Sequence, residues 1–321
     1  MRILVTGGVG YIGGTVARAL AQQGHDVVVY DNLCHATRAL LPAGVKFVQG
    51  DVADRSGLEK LLSSGFDGVM HFAALIEAGE SMLKPELYFR NNTAATLSLL
   101  EAMISTGVHR LVFSSTAAVY GEPDVTPIPE DAPLRPTNPY GESKLLVEKM
   151  LSWVYRVHGL RYASLRYFNV AGAMGGRGEA HEPESHLIPL VLDVALGRRE
   201  KIKIYGDDYP TPDGTCIRDY IHVEDLAHAH LLAFEALATR GPLIYNLGNG
   251  AGFSVLAVIE SARRVTGRPI PVEIVPRRAG DPAILIASSE KIARELGWKP
   301  RHSSLDEIIE SAWAWQQIRY S

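Results

Sequence analysis

Cysteine is nearly missing from this chain: Cys34 and Cys216 are the only two in 321 residues, too few for a stapled secreted scaffold. A reducing, cytoplasmic setting is the expectation. Charge of one sign is also lacking. Lys and Arg total 32 against 36 Asp and Glu, a net charge of −4, which offers no basic face for nucleic acid. No uninterrupted apolar stretch is long enough to span a bilayer, so no membrane role is expected. Internal repeats and low-complexity linkers are absent too. The first residues, Met1-Arg2-Ile3-Leu4-Val5-Thr6-Gly7, run directly into a strand and a glycine loop, with no charged leader or cleavage site. What the chain does have is 46% apolar residues, enough for one large domain or two modest ones around a shared cleft.

Short runs rich in Val, Ile and Phe, bounded by Gly, Asp or Ser, read as buried strands at Ile3–Thr6, Val27–Tyr30, Val45–Val48, Gly68–Phe72 and Arg110–Ser114. Helical patterns lie between them, at about 11–23, 55–64 and 85–106. Another strand, Tyr162–Phe168, follows a long helix that starts near Pro139. Such alternation predicts an α/β fold, a Rossmann-type doubly wound parallel sheet. A smaller C-terminal α/β substrate lobe rests on the sheet's carboxyl edge. The division expected is 1–168 for the dinucleotide-binding half and 169–321 for the substrate lobe, with a segment near 220–250, around Leu243–Leu247, returning to the first half.

Gly8-Val9-Gly10-Tyr11-Ile12-Gly13 is a G-x-G-x-x-G that follows the first strand and opens an amphipathic helix carrying Val16 and Leu20; Gly7 precedes it. A loop of this kind brings backbone N–H groups and a helix N-terminus up to a pyrophosphate with no Cβ in the way. Asp31, eighteen residues past Gly13, ends the second strand, where a carboxylate accepts hydrogen bonds from an adenosine ribose and repels a 2′-phosphate. NAD is therefore expected rather than NADP. Asp51 ends the third strand, and either meets the adenine edge or caps the following turn.

Asn138-Pro139-Tyr140-Gly141-Glu142-Ser143-Lys144 has an Asn cap and a first-turn Pro. Tyr140 and Lys144 are then i and i+4 on one helix face. A phenol near pKa 10 must be lowered by about three units, ~4 kcal/mol, to act as a base at neutral pH. A Lys ammonium one turn away and a cationic nicotinamide ring are suitable sources. Ser114-Ser115-Thr116 ends a strand of the same sheet, at the edge where such folds place their sites.

Glycine loop, hydroxyl-bearing strand end and Y-x-x-x-K, in this order, resemble the short-chain dehydrogenase/reductase superfamily, whose catalytic residues fall here on Thr116, Tyr140 and Lys144. Within its extended branch the chain resembles the UDP-galactose 4-epimerases over essentially its whole length. Matching stretches are Thr6–Gly13, Asp31-Asn32-Leu33, His71-Phe72-Ala73-Ala74, Arg166-Tyr167-Phe168-Asn169-Val170-Ala171-Gly172-Ala173 and Arg218-Asp219-Tyr220-Ile221-His222-Val223. The resemblance implies an NAD-dependent isomerase working through a 4-keto sugar. Its cofactor site would use Gly7, Gly10, Tyr11, Ile12, Gly13, Asp31, Asn32, Asp51, Val52, Phe72, Ala73, Ala74, Asn91, Ser114, Tyr140, Lys144 and Tyr167. Its UDP-sugar site would use Thr116, Tyr140, Asn169, His186, Leu187, Tyr205, Arg218, Arg278, Asp281 and Leu285. Two guanidinium groups suit a diphosphate and a carboxylate a ribose diol, although Arg218 could instead pair with its neighbour Asp219.

The chain departs from the family in three places. Ile76 stands where relatives often carry a Lys that contacts the cofactor. His186 stands where an Asn often meets the UDP. Leu285 stands where a Tyr often walls the sugar pocket, with Ile284 or Ile286 as the alternative residue facing the sugar. Ala117 and Ala118 lack the carboxylates that 4,6-dehydratases and UDP-glucuronate decarboxylases place after the serine strand, which argues against both. Epimerases of UDP-N-acetylhexosamines or UDP-uronic acids stay open. A non-catalytic NAD sensor would have no use for Tyr140 and Lys144. His222, His228, His230, Glu224 and Asp225 fit no tight ligand pattern, so no metal is expected. Trp153, Trp313 and Trp315 read as packing. The helices at 85–106 and 139–158 suggest a homodimer, although their apolar stripes could equally be core.

Overall fold

The computed structural model describes residues 1–181, 183–278 and 281–321. In chain order the first half runs β1 (Arg2–Thr6), α1 (Tyr11–Gln22), β2 (Asp26–Asp31), β3 (Lys46–Gln49), α2 (Arg55–Leu62), β4 (Gly68–His71), α3 (Ala78–Ser81), α4 (Pro85–Tyr88), α5 (Ala95–Thr106), β5 (Arg110–Thr116), α6 (Pro139–His158) and β6 (Arg161–Tyr167). The second half runs β7 (Asn169–Ala171), β8 (Ala173–Met174), β9 (Arg177–Gly178), α7 (Leu187–Ala195), β10 (Ile202–Tyr205), β11 (Ile217–Arg218), β12 (Tyr220–His222), α8 (Val223–Ala236), β13 (Leu243–Leu247), β14 (Phe253–Ser254), α9 (Val255–Thr266), β15 (Val272–Val275), β16 (Ile284–Leu285), α10 (Glu290–Leu296) and α11 (Leu305–Arg319).

Seven strands form one parallel sheet in the order β13-β6-β5-β4-β1-β2-β3. The order reverses between β1 and β4, and a crevice opens there at the strands' carboxyl ends, the usual ligand position in a doubly wound sheet. Strand period decides how the two faces are covered. Along β1, Ile3 and Val5 join the core under α1 and α8, whereas Leu4 points to the opposite face and joins the core under α2, α5 and α6. Leu243–Leu247 pairs with β6 and extends the sheet. A third core forms among α7, α9 and α11, around Val191, Val258 and Ile308.

The single helix expected over 85–106 is broken. A π-helical segment at Phe89–Ala94 separates α4 from α5. Its cause is tertiary. Asn92 is buried, and its side chain holds both backbone groups of Leu75 at 2.8 and 2.9 Å and reaches Ser143 of α6 at 3.1 Å. Trp153, expected to pack, is 64% exposed, whereas Trp315 is buried and donates to Glu179 O.

One buried ion pair joins α6 to the sheet. Glu148 on α6 and Arg166 on β6 form a forked pair at 2.5 and 3.0 Å, 5% and 2% exposed respectively. Ser115 of β5 donates to the same carboxylate at 2.6 Å, and Arg166 also donates to the Tyr120 hydroxyl and Glu130 O. Removing one member of a buried pair leaves an uncompensated charge. Glu148→Ala is therefore expected to cost ~3–5 kcal/mol in urea unfolding, and adding Arg166→Met is expected to recover much of that loss. A single-variant loss below ~1 kcal/mol would contradict this account.

Candidate active site

The crevice is a cavity of about 390 Å³, within the range of small-molecule sites. Every residue expected at the cofactor lies on its wall, as do Thr116, Asn169 and His186. The glycine loop forms one side. Gly7 has φ +69°, and a Cβ there would lie 2.5 Å from Ala73 N. A Cβ on Gly13 would lie 2.4 Å from Gly7 O. Both positions need glycine for the loop to close this tightly beneath a ligand. Asp31 accepts from Val9 N at 3.0 Å and Leu33 N at 2.9 Å, so the carboxylate is fixed at the end of β2. Asp51 accepts from Ala53 N and from the Asn32 side chain, both at 2.8 Å. The cap of α2 is Asp54, while Asp51 caps the turn before it through Ala53 N and also stands on the cavity wall. The donor set and the cleared backbone fit a dinucleotide.

Asn138 caps α6 by accepting from Gly141 N at 2.9 Å, and Ser81 of α3 accepts from Tyr140 N at 3.2 Å. These contacts fix the end of the helix that carries Tyr140. One turn on, Lys144 is buried, donates to Ser114 O at 2.9 Å and lies 5.0 Å from the Phe113 ring centre. The Ser114 hydroxyl is hydrogen-bonded to the Tyr167 phenol. Thr116 ends β5, accepts from Ala118 N at 3.1 Å, and lies on the cavity wall beside Tyr140, where its side chain acts to lower the Tyr140 pKa. The three expected catalytic side chains thus meet on one wall.

Their electrostatics differ from the expectation. Burial raises the Tyr140 pKa above its ordinary value; the neighbouring Thr116 side chain lowers it and the Glu77 carboxylate adds to the rise. Lys144 is itself pushed down to about 7 by burial. The protein alone therefore does not prepare a phenolate, and added positive charge must come with a ligand.

Glu77 and His181, which sequence reasoning did not single out, line the cavity beside the expected His186. Glu77 pairs with His181 at 3.0 Å and accepts from Ser185 at 3.1 Å, tying the loop after β4 to the segment before α7. His181 also stacks on His35. His186 sits at the start of α7 beside Glu184 at 2.8 Å; burial opposes its charge, but Glu184, with Glu179 and Glu77 nearby, carries its pKa up to about 9. Only the folded chain brings these separate segments together, so no local signal announced Glu77 or His181.

Tyr205, Leu187, Arg218, Arg278, Asp281 and Leu285 lie beyond this cavity. Arg218 is hydrogen-bonded to Asp281, not to its neighbour Asp219. Asp219 is buried and accepts instead from Asn249, Gly250 and Ala287 backbone N–H groups. Pairing of β10 with β15 brings the Arg278 guanidinium to 3.9 Å from the Tyr205 ring centre. Leu285 pairs in register with Arg218 and packs with Phe168 against Val119, Tyr120 and Ile128. Ile286 points the other way, against Gly252. Elsewhere, His222, Glu224 and His302 approach one another. Both His222 nitrogens are already engaged, with Glu224 N and the Ser311 hydroxyl.

The lowered Lys144 pKa has a direct consequence for stability. Between pH 7 and 10.5 the unfolded chain binds a proton at this Lys that the folded protein does not, so its contribution to stability rises with pH across that window. His186 slopes the opposite way between 6.5 and about 9. Comparing cofactor-free wild type with Lys144→Met separates the two. The thermal midpoint of the variant relative to wild type is expected to fall from pH 7 to pH 9 and to be highest near pH 7. A difference that does not change with pH would refute the neutral Lys144.

Residues 3–248 match the NAD dependent epimerase/dehydratase family. The chain is 56% identical over 316 residues to a UDP-glucose 4-epimerase of Streptomyces lividans, covering 98% of this chain and 95% of that one. Its structure is similar to that of a UDP-glucose 4-epimerase from Stenotrophomonas maltophila with bound NAD and formylated UDP-arabinopyranose, at TM-score 0.96 and 43% identity, over 100% and 99% of the two chains. It is likewise similar to one from Bifidobacterium longum in complex with NAD+ and UDP, at TM-score 0.94 and 40% identity, with the same coverage. With its crevice, glycine loop and Tyr140–Lys144 helix, the chain belongs to the NAD-dependent epimerase/dehydratase family, an enzyme family with a Rossmann-type fold and NAD as cofactor.

Proposed function

We propose that the protein interconverts UDP-glucose and UDP-galactose by inverting C4 through a 4-keto sugar, with NAD retained throughout. The observation that carries this reading is the meeting of Thr116, Tyr140 and Lys144 on the wall of the same cavity as the glycine loop. Bound NAD supplies a reversible hydride acceptor at C4. Tyr140 removes the proton of the 4-hydroxyl and later returns it, and Thr116 shares the hydrogen bond at that oxygen. Lys144, buried at Ser114 O, favours the phenolate when charged and reaches the nicotinamide ribose. Ala117 and Ala118 put no carboxylate directly after Thr116, where elimination or decarboxylation chemistry would draw on one.

The UDP is held by Asn169, His186, Leu187, Tyr205, Arg218, Arg278 and Asp281, most of them away from the reacting wall. A firm diphosphate grip and a looser sugar pocket allow the keto sugar to turn over while tethered. The division of labour is 1–168 with the returning segment near 220–250 for the cofactor and 169–321 for the nucleotide sugar. Among the described residues no helix is long and apolar enough to cross a membrane, and a cytoplasmic enzyme fits that. A homodimer through α5 and α6 fits the exposure of Leu97, Trp153 and Val157, at 44%, 64% and 68%.

Tyr140→Phe keeps the ring and removes the base. Folding is expected to survive, and turnover of UDP-galactose to UDP-glucose to fall at least about a hundredfold. In wild type no reduced nicotinamide accumulates at 340 nm during turnover, since the hydride returns in each cycle. Near-normal turnover in the variant, or reduced cofactor growing in step with product, overturns the mechanism.

Leu285 favours a wider sugar range. It packs against the same buried cluster as Phe168, a residue of the cavity wall, and it is smaller than a Tyr. UDP-N-acetylglucosamine is expected to turn over more slowly than UDP-glucose, at an overpacking cost of ~1–3 kcal/mol. Leu285→Tyr is expected to abolish that activity and spare UDP-glucose. An unchanged ratio between the two sugars removes Leu285 as the gate.

A further inference from the structure

Two Lys or Arg side chains stand on the wall of the cofactor cavity among the described residues, Lys144 and Arg177. Lys144 is committed to the reacting end, at Ser114 O. Arg177 comes from β9, in the second half of the chain, and ends at the glycine loop. Its Nη2 donates to Gly10 O at 2.7 Å and also to Val9 O. The side chain is 7% exposed, its Nε is buried with no hydrogen-bond partner, and no carboxylate among the described residues lies within 4.0 Å of it. Room for it has been cleared: a Cβ on Gly14 would stand 2.5 Å from Nη2.

A guanidinium buried without a counter-ion is unfavourable, because desolvation is not repaid by an opposite charge. Such a group persists where something else uses its charge. Here it sits against the two residues whose loop opens α1, where N–H groups and the helix dipole already favour an anion. The facing wall after β4 offers Ile76, which is apolar, and then Glu77, whose charge is taken up by His181.

We propose that Arg177 supplies the counter-charge for the diphosphate of the cofactor, across the glycine loop from the second half of the chain. This rests on the cofactor site described above. The guanidinium holds the carbonyl side of the loop through Val9 and Gly10, so that the N–H side faces the cavity. Glu179 and Asp31 act on its charge from beyond ion-pair distance, and a diphosphate would add a direct counter-charge. Affinity should therefore depend on Arg177 in proportion to the phosphate that a ligand carries.

The test measures binding to the cofactor-free protein by isothermal titration calorimetry. NAD and ADP-ribose carry the diphosphate; adenosine does not. Arg177→Met is expected to weaken NAD and ADP-ribose about tenfold or more and adenosine by less than about twofold. Arg177→Lys, which keeps the charge but cannot span both carbonyls, is expected to retain most of the preference for ADP-ribose over adenosine. If Arg177→Met does not fold, the Lys variant decides alone: a preserved preference supports the assignment and a lost one overturns it. Unchanged affinity for ADP-ribose in Arg177→Met, or equal weakening of adenosine, makes Arg177 a brace of the loop and overturns it as well. Wild type that binds adenosine but neither NAD nor ADP-ribose overturns the cofactor site and this assignment together. Wild type that binds all three, with Arg177→Met unaltered, overturns this assignment alone.

Discussion

The distance between a helix and a strand governs this molecule. Tyr140 and Lys144 are on α6, Thr116 is on β5, and the proposed chemistry requires Tyr140 and Thr116 to share one hydroxyl of the substrate with Lys144 one helical turn away. Helix-on-sheet packing by apolar side chains alone tolerates small shifts and rotations, because hydrophobic contact is non-directional. The Glu148–Arg166–Ser115 cluster is directional. It connects α6, β5 and β6 through short charged hydrogen bonds in a dry environment, and it lies one turn beyond Lys144 on the same helix. At the other end of the helix, Asn138, Ser81 and Ser143 set the first turn through Gly141, Tyr140 and Asn92. With both ends fixed, the Tyr–Lys face has one position over the strand end.

The second half of the chain completes a site that the first half opens. Tyr11, at the start of α1, donates to Gly172 O at 2.6 Å, Arg177 reaches the loop carbonyls, and His181 ties down Glu77. Each contact spans a large sequence separation and closes part of the cavity wall. The arginine and tyrosine pairs farther out, Arg278 over Tyr205 and Arg218 with Asp281, stand apart from the reacting wall. That separation matches a reaction in which one part of the substrate must stay still while another turns.

Electrostatically, the cofactor-free site is set against charge. Tyr140 is raised, Lys144 is lowered, and Arg177 is buried with no carboxylate at ion-pair distance among the described residues. Burial is the common cause, and a ligand that brings both a diphosphate and a cationic ring would answer all three. A dry, preformed wall gives fixed charges more effect than the same groups would have in water.

Local chemistry is what the sequence by itself determined. The glycine turn after β1, the Asn138 cap with Pro139, and the i, i+4 spacing of Tyr140 and Lys144 are set by neighbours along the chain, and all appear where the spacing placed them. The alternation of short apolar strands with amphipathic helices likewise pointed to a parallel sheet covered on both faces. Tertiary structure decided the rest. Asn92 breaks the helix over 85–106 because its side chain is held by both Leu75 and Ser143. Arg218 turns to Asp281 because Asp219 is claimed by three backbone N–H groups. Trp153 faces outward although its apolarity suggested core. Arg177 becomes part of the glycine loop only because β9 folds back against α1. In each case the energy lies in a contact between distant segments, and a buried polar or charged group takes the partner that folding brings to it, whichever residues stand beside it in the chain.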